Sequence, residues 1–143
     1  MSSMINISGR SVGAGQPCFV IAEAGVNHNG DIEIAKRLVD VAADAGADAV
    51  KFQTFKAELV VSAGAPMAEY QRETVGDAQS QIAMLRPLEL SREEHVELAE
   101  HCTQRGILFL SSPFDEGSVD MLDEMGMPVF KVASGEINNW PLL

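Results

Sequence analysis

Ala49-Val50-Lys51-Phe52-Gln53-Thr54 is the stretch whose reading decides the fold. Its valine, phenylalanine and threonine favour a pleated strand, and a helix-ending glycine, Gly46, stands just before it. Alternation places Lys51 and Gln53 on one face and Val50 and Phe52 on the other. The same joint of helix, glycine and strand recurs downstream. Gly106 precedes Ile107-Leu108-Phe109-Leu110, and Gly126 precedes Val129-Phe130-Lys131-Val132-Ala133. Lys51 and Lys131 each stand five residues after their glycine. Upstream, Cys18-Phe19-Val20-Ile21-Ala22-Glu23 reads as the first core strand and breaks at Gly25.

The intervening segments carry helical signals. Ala35, Leu38, Val39, Ala42 and Ala45 follow helical spacing within 31–45, and Asp31 and Glu33 suit the positive end of that helix. Ser91 and Glu94 form a capping-box pattern ahead of a second helix, which turns His95, Leu98, Ala99 and Cys102 inward and stops at Gly106. A shorter helix is expected over 118–125. The long excursion 55–90 is expected to hold a short helix over 66–74.

Strands alternating with helices predict an α/β fold with a parallel sheet. The doubly wound alternative lacks its glycine-rich phosphate fingerprint here. A complete eight-unit barrel takes about 250 residues, and this sequence supplies four units, so the expected fold is a partial (β/α)8 TIM barrel. Residues 1–15, with Ile5-Asn6-Ile7 and Ser11-Val12, read as an N-terminal β-hairpin. Residues 16–143 read as the amino-terminal half of the barrel, reaching Trp140-Pro141-Leu142-Leu143 where a fourth helix is due to start.

Apolar residues make up 46% of the 143, enough for a real core. Ten basic against twenty-one acidic residues give a net charge of −11. That balance excludes a nucleic-acid or anionic-membrane surface, which needs a basic face. An anionic ligand would have to be met by cations gathered at one place. Cys18 and Cys102 do not form a CxxC pair and are expected as buried thiols rather than a disulfide. The first ten residues lack a signal core, and no apolar run is long enough to span a bilayer, so the cytoplasm is the expected location.

Polar residues stand where the apolar strands end, the place where parallel α/β folds build their sites. Glu23 closes the first strand, and Lys51 and Gln53 end the second. Ser111 and Ser112 follow the third, and Lys131, Ser134 and Glu136 follow the fourth. A lysine inside an apolar strand is costly unless an anion pairs with it. Each position also has a plain structural alternative. Glu23 and Lys51 fit an internal ion pair, Lys131 fits a side chain reaching solvent, and Ser134 fits a loop cap. Asn27-His28-Asn29-Gly30 fits a turn before a helix. His95 and His101 fit structural or solvated roles, and Glu93, Glu94, Glu97 and Glu100 fit a wet helix face. No two histidines have metal-ligand spacing.

Four motifs carry a resemblance: IAEAGVNHNG at 21–30, DAVKFQTF at 48–55, LFLSSPFD at 108–115 and FKVASGEINNWPLL at 130–143. In this order and at strand ends they resemble the sialic acid synthase family, which includes N-acetylneuraminate, legionaminate and related nonulosonate synthases. The alanine-glycine after Glu23 is more similar to the neuraminate and legionaminate branch than to the pseudaminate branch. The resemblance implies a (β/α)8 barrel followed by a small antifreeze-like domain, paired as a homodimer. It implies condensation of phosphoenolpyruvate with N-acetylmannosamine or a related N-acyl amino sugar, aided by Mn2+ or Mg2+. C3 of phosphoenolpyruvate attacks the aldehyde, water adds at C2 and phosphate leaves; the ion polarises the aldehyde.

Carried over by position, the resemblance implies that Lys51 and Lys131 hold the phosphoenolpyruvate anion. It implies a hydrogen bond from Ser134, sugar-hydroxyl binding by Glu23 and orientation by Gln53. Glu136, Asn27 and His28 are implied to shape the same pocket. The family's metal-binding histidines belong to later strands, so no metal ligand is expected here, and the chain alone is expected to be inactive. Two alternatives remain open at this point. One is another phosphoenolpyruvate-dependent sugar-acid synthase making shorter keto acids. The other is a noncatalytic half-barrel that self-associates through its open edges.

Overall fold

The computed structural model describes residues 4–60 and 81–143; the helix expected over 66–74 lies outside them. A β-hairpin opens the chain, with β1 (Ile5–Ile7) antiparallel to β2 (Arg10–Val12). Three parallel strands follow: β3 (Ile21–Gly25), β4 (Ala49–Thr54) and β5 (Leu108–Pro113), in the order β3-β4-β5. Asp48 ties the hairpin to this sheet. Its carboxylate pairs with the Arg10 guanidinium and accepts the Val20 backbone N–H at 2.7 Å.

The helices form where local signals and an apolar stripe agree. Helix α1 (Ile32–Asp44) is capped by Asp31, whose Oδ1 accepts from the N–H groups of Glu33 and Ile34 at 2.8 and 3.1 Å. It buries Ala35, Val39 and Ala42, one face at helical spacing. After β4 come the short helices α2 (Ala57–Val60) and α3 (Gln81–Leu85), then a 3-10 turn at Arg86–Leu88. Helix α4 (Arg92–Arg105) starts with a complete capping box: Glu94 N–H reaches Ser91 Oγ, and Glu94 Oε2 accepts from Ser91 N–H. It ends at Gly106 in the left-handed conformation, φ 69°. Helix α5 (Glu116–Glu124) is capped by Asp115.

Helix α1 packs against α4, and both join Val50, Phe52 and Phe109 in one buried cluster. Phe52 stacks on Phe109 with centroids 5.9 Å apart. Polar tethers secure the carboxyl-end loops. The Asp115 carboxylate accepts from Lys56 N–H at 2.9 Å and from the Ser118 N–H and hydroxyl at 2.8 and 2.7 Å, joining the loop after β4 to the start of α5. Glu89 accepts from Ala57 N–H at 2.8 Å and pairs with Lys56 Nζ at 3.2 Å, so the two ends of the 55–90 excursion meet.

Five expectations are corrected. Residues 129–133 join no ladder, so the described sheet has three strands rather than four. Beside β5 the Ser111 N–H goes to the Met127 thioether sulfur at 3.2 Å, and Phe130, Lys131 and Val132 stay exposed. The first core strand begins at Ile21, not Cys18, and continues past Glu23 to Gly25 with a register irregularity between Glu23 and Gly25. Cys18 therefore lies outside the sheet and is exposed, whereas Cys102 is buried; both are free thiols. The third strand begins one residue late and extends through the serines to Pro113, and the following helix spans 116–124 rather than 118–125. None of the described helices is long and apolar enough to cross a membrane.

Candidate active site

The parallel register aligns the candidate side chains. Glu23 lies opposite Lys51, Lys51 opposite Leu110, and Gln53 opposite Ser112. In-register neighbours share a face, so Glu23, Lys51, Gln53 and Ser112 lie on the face opposite Val50, Phe52 and Phe109. Lys51 is only 7% exposed and its Nζ pairs with the Glu23 carboxylate. The Glu23 side chain is 54% exposed, so the pair has one dry end and one wet end.

Gly25 explains how Glu23 and Gln53 converge. Its φ of 55° belongs to the region glycine favours, and a Cβ there would lie 3.4 Å from Glu23 Oε1 and 3.7 Å from Gln53 Nε2. A larger residue would fill the space beside both polar groups. Ser112 is fully buried, and its Oγ has no hydrogen-bond partner among the described residues. A buried hydroxyl left unpaired is uncommon and costs roughly 1–3 kcal/mol, so one aimed at a candidate ligand face is informative.

Among the described residues no hydrogen bond or ion pair joins the other candidates to this group. Lys131 and Ser134 are exposed on the segment that joins no ladder. Lys131 lines a cavity of about 230 Å³ with Pro113, Val119, Phe130, Val132 and Leu142. Half-buried Glu136 accepts from Asn139 Nδ2 at 2.6 Å. Asn27 turns back on its own loop, its Nδ2 donating to Ala24 O at 2.9 Å.

His28 goes the other way. It is fully buried, 6.1 Å from the Phe52 ring, on the helix side of the sheet. Its Nδ1 accepts the Gly30 N–H at 3.0 Å, and its Nε2 is buried without a partner. Burial, reinforced by the nearby His95, holds its pKa below the ordinary histidine value. The turn demands glycine at position 30, where φ is 76° and a Cβ would sit 2.0 Å from Pro87 O.

A polar chain not foreseen in the sequence runs behind the sheet. His95 meets Ser91 O through Nδ1 at 2.8 Å and Thr54 Oγ1 through Nε2 at 2.8 Å; Thr54 Oγ1 meets Ser111 Oγ at 2.6 Å. The two adjacent serines thus face opposite ways, Ser111 to the helices and Ser112 to the candidate site. Strand parity counted from Leu110 would have separated them.

The model of the NeuB family matches residues 38–143. This chain belongs to the NeuB family. The NeuB match includes Lys51, Gln53, Ser112, Lys131, Ser134 and Glu136, while Glu23, Asn27 and His28 precede it. Curated relatives extend the likeness over those earlier residues. An N,N'-diacetyllegionaminic acid synthase of Campylobacter jejuni is 52% identical over 87% of this chain and 37% of its own length. One from Legionella pneumophila is 50% identical over 92% of this chain and 37% of its own length. The chain therefore spans a little over a third of these relatives. The solved N-acetylneuraminic acid synthetase of Leptospira borgpetersenii, in complex with citrate, superposes with a TM-score of 0.81 at 35% identity. It covers 99% of this chain and 45% of that one.

Proposed function

We propose that this chain provides the amino-terminal part of a (β/α)8 nonulosonate synthase, which joins phosphoenolpyruvate to N-acetylmannosamine or a related N-acyl amino sugar and releases phosphate. The observation that carries the reading is Lys51, a nearly buried cation on the sheet face with Gln53 and the unpartnered Ser112 hydroxyl. In a protein of net charge −11, a highly anionic substrate needs such a local cation. The legionaminic acid synthases named above favour the nonulosonate branch over synthases of shorter keto acids.

In this reading Lys51 holds the phosphoenolpyruvate anion and Ser112 donates to it. Glu23, wet at its outer end, accepts from sugar hydroxyls, and Gln53 orients the sugar beside the open space at Gly25. The family resemblance assigns Lys131 and Ser134, exposed on the next segment, to the same anion, with Glu136 and Asn27 at the margin. His28 supports the sheet from behind and touches no substrate. A divalent ion, Mn2+ or Mg2+, belongs to the family reading, yet no group of three or more His, Cys, Asp or Glu side chains is poised to hold one among the described residues. The described residues do not fit it. Binding is assigned to these residues; turnover is assigned to the fuller length of the relatives, and the chain alone is proposed to be inactive.

Calorimetric titration with phosphoenolpyruvate tests this reading. Saturable binding that Lys51→Gln weakens more than tenfold, the loss of about 1.4 kcal/mol or more, is expected. Equal binding by that variant, or no binding to the folded chain, would overturn it. Formation of a nonulosonate by the chain with phosphoenolpyruvate, N-acetylmannosamine and Mn2+ would overturn the inactivity.

A further inference from the structure

The chain Ser91–His95–Thr54–Ser111 has a direction. A carbonyl oxygen can only accept, so His95 Nδ1 carries the proton that meets Ser91 O at 2.8 Å. In the neutral ring Nε2 is then bare and accepts from the Thr54 hydroxyl at 2.8 Å, and Thr54 Oγ1 in turn accepts from the Ser111 hydroxyl at 2.6 Å. All three side chains are at most 4% exposed. Thr54 ends β4 and Ser111 lies late in β5, and their sequence neighbours Gln53 and Ser112 face the candidate ligand side in register with each other.

We propose that His95, as the neutral Nδ1–H tautomer, is a positioning residue that acts through Thr54 and Ser111 to fix the carboxyl ends of β4 and β5 and thereby set Gln53 and Ser112 for the ligand. This rests on the proposed function only in treating that face as a binding face. Protonating His95 would place a hydrogen on Nε2. Thr54 Oγ1 would then accept from the ring, and either its own proton or that of Ser111 would need a new acceptor in a buried place. The charged or titratable groups around His95 are His28 from the loop after β3, Lys56 from the loop after β4, and Glu94 on its own helix; the Phe109 ring of β5 meets it edge-on at 6.3 Å. Burial is the largest influence on its pKa and lowers it, in keeping with the neutral ring.

The test is a pH titration of the whole chain by nitrogen-15 NMR, run on the parent and on Thr54→Val. The parent should show the Nδ1–H tautomer at His95, with the Gln53 side-chain amide and the Ser112 amide shifting at the His95 midpoint. In Thr54→Val, His95 should still titrate while those two signals stop following it. An Nε2–H tautomer, no response in the parent, or an equal response in Thr54→Val would overturn the proposal; should Thr54→Val fail to fold, the parent titration decides. Phosphoenolpyruvate affinity should fall about tenfold in Thr54→Val and recover in Thr54→Ser, and His95→Gln should retain more of it than His95→Leu. An unchanged affinity in Thr54→Val would overturn the positioning role. If the parent binds no phosphoenolpyruvate while the NMR signals behave as expected, the binding reading fails and the positioning of Gln53 and Ser112 stands.

Discussion

Lys51 and Glu23 lie directly opposite each other on neighbouring parallel strands, and their ion pair joins a nearly buried ammonium to a half-exposed carboxylate. The asymmetry governs what their removal does. Loss of the lysine frees a carboxylate that water can reach, whereas loss of the glutamate strands a cation in a dry place. Lys51→Met should therefore leave the melting temperature near that of the parent, while Glu23→Leu should lower it; thermal unfolding of the two variants side by side is the check.

Gly30 and Gly46 provide a controlled pair. Both have φ close to 77°, but only Gly30 has a backbone oxygen where a Cβ would go. Gly46→Ala should cost about 1–2 kcal/mol, the penalty of the left-handed conformation. Gly30→Ala should cost more, about 3 kcal/mol or above, because the Pro87 backbone must also move. Urea unfolding midpoints at constant slope measure the difference.

Stability should fall as pH drops through and below 6.5. His28 and His95 both have folded pKa values below the ordinary 6.5, chiefly through burial. The unfolded chain then binds more protons than the native one in that window, so unfolding becomes easier as pH decreases. The contribution is fully present above the unfolded value and is lost toward the depressed folded ones. Denaturant melts at pH 7.5 and 5.5 should show the decline, and His95→Gln should make it shallower.

The two cysteines should react very differently. Cys18 is exposed, whereas Cys102 is buried and its thiol pKa is pushed up to about 12 by desolvation. Iodoacetamide at pH 8 should label the native chain once, at Cys18, and the urea-unfolded chain twice. Peptide mass mapping identifies the site.

Features set by neighbouring residues were legible in the sequence. The Ser91–Glu94 capping box, the stop at Gly106 and the facing of Lys51 and Gln53 depend on a few adjacent positions and on strand parity. What escaped depends on distant partners. Val129–Ala133 has the composition of a strand, but a strand requires a neighbour to accept its hydrogen bonds, and beside β5 Met127 takes the Ser111 N–H instead. The Asn27-His28-Asn29-Gly30 turn was readable as a turn, but the inward course of His28 follows from packing on Phe52. Ser112 was visible as a polar strand end, and its facing became clear only because β5 runs on to Pro113.

The Glu89 carboxylate, by clasping Lys56 and Ala57, makes the chain between them a closed ring with a fixed mouth. The exit of β4 and the approach to α4 are thereby pinned to each other by one carboxylate, and the carboxyl edge of the sheet keeps its spacing without drawing on the strand ladder.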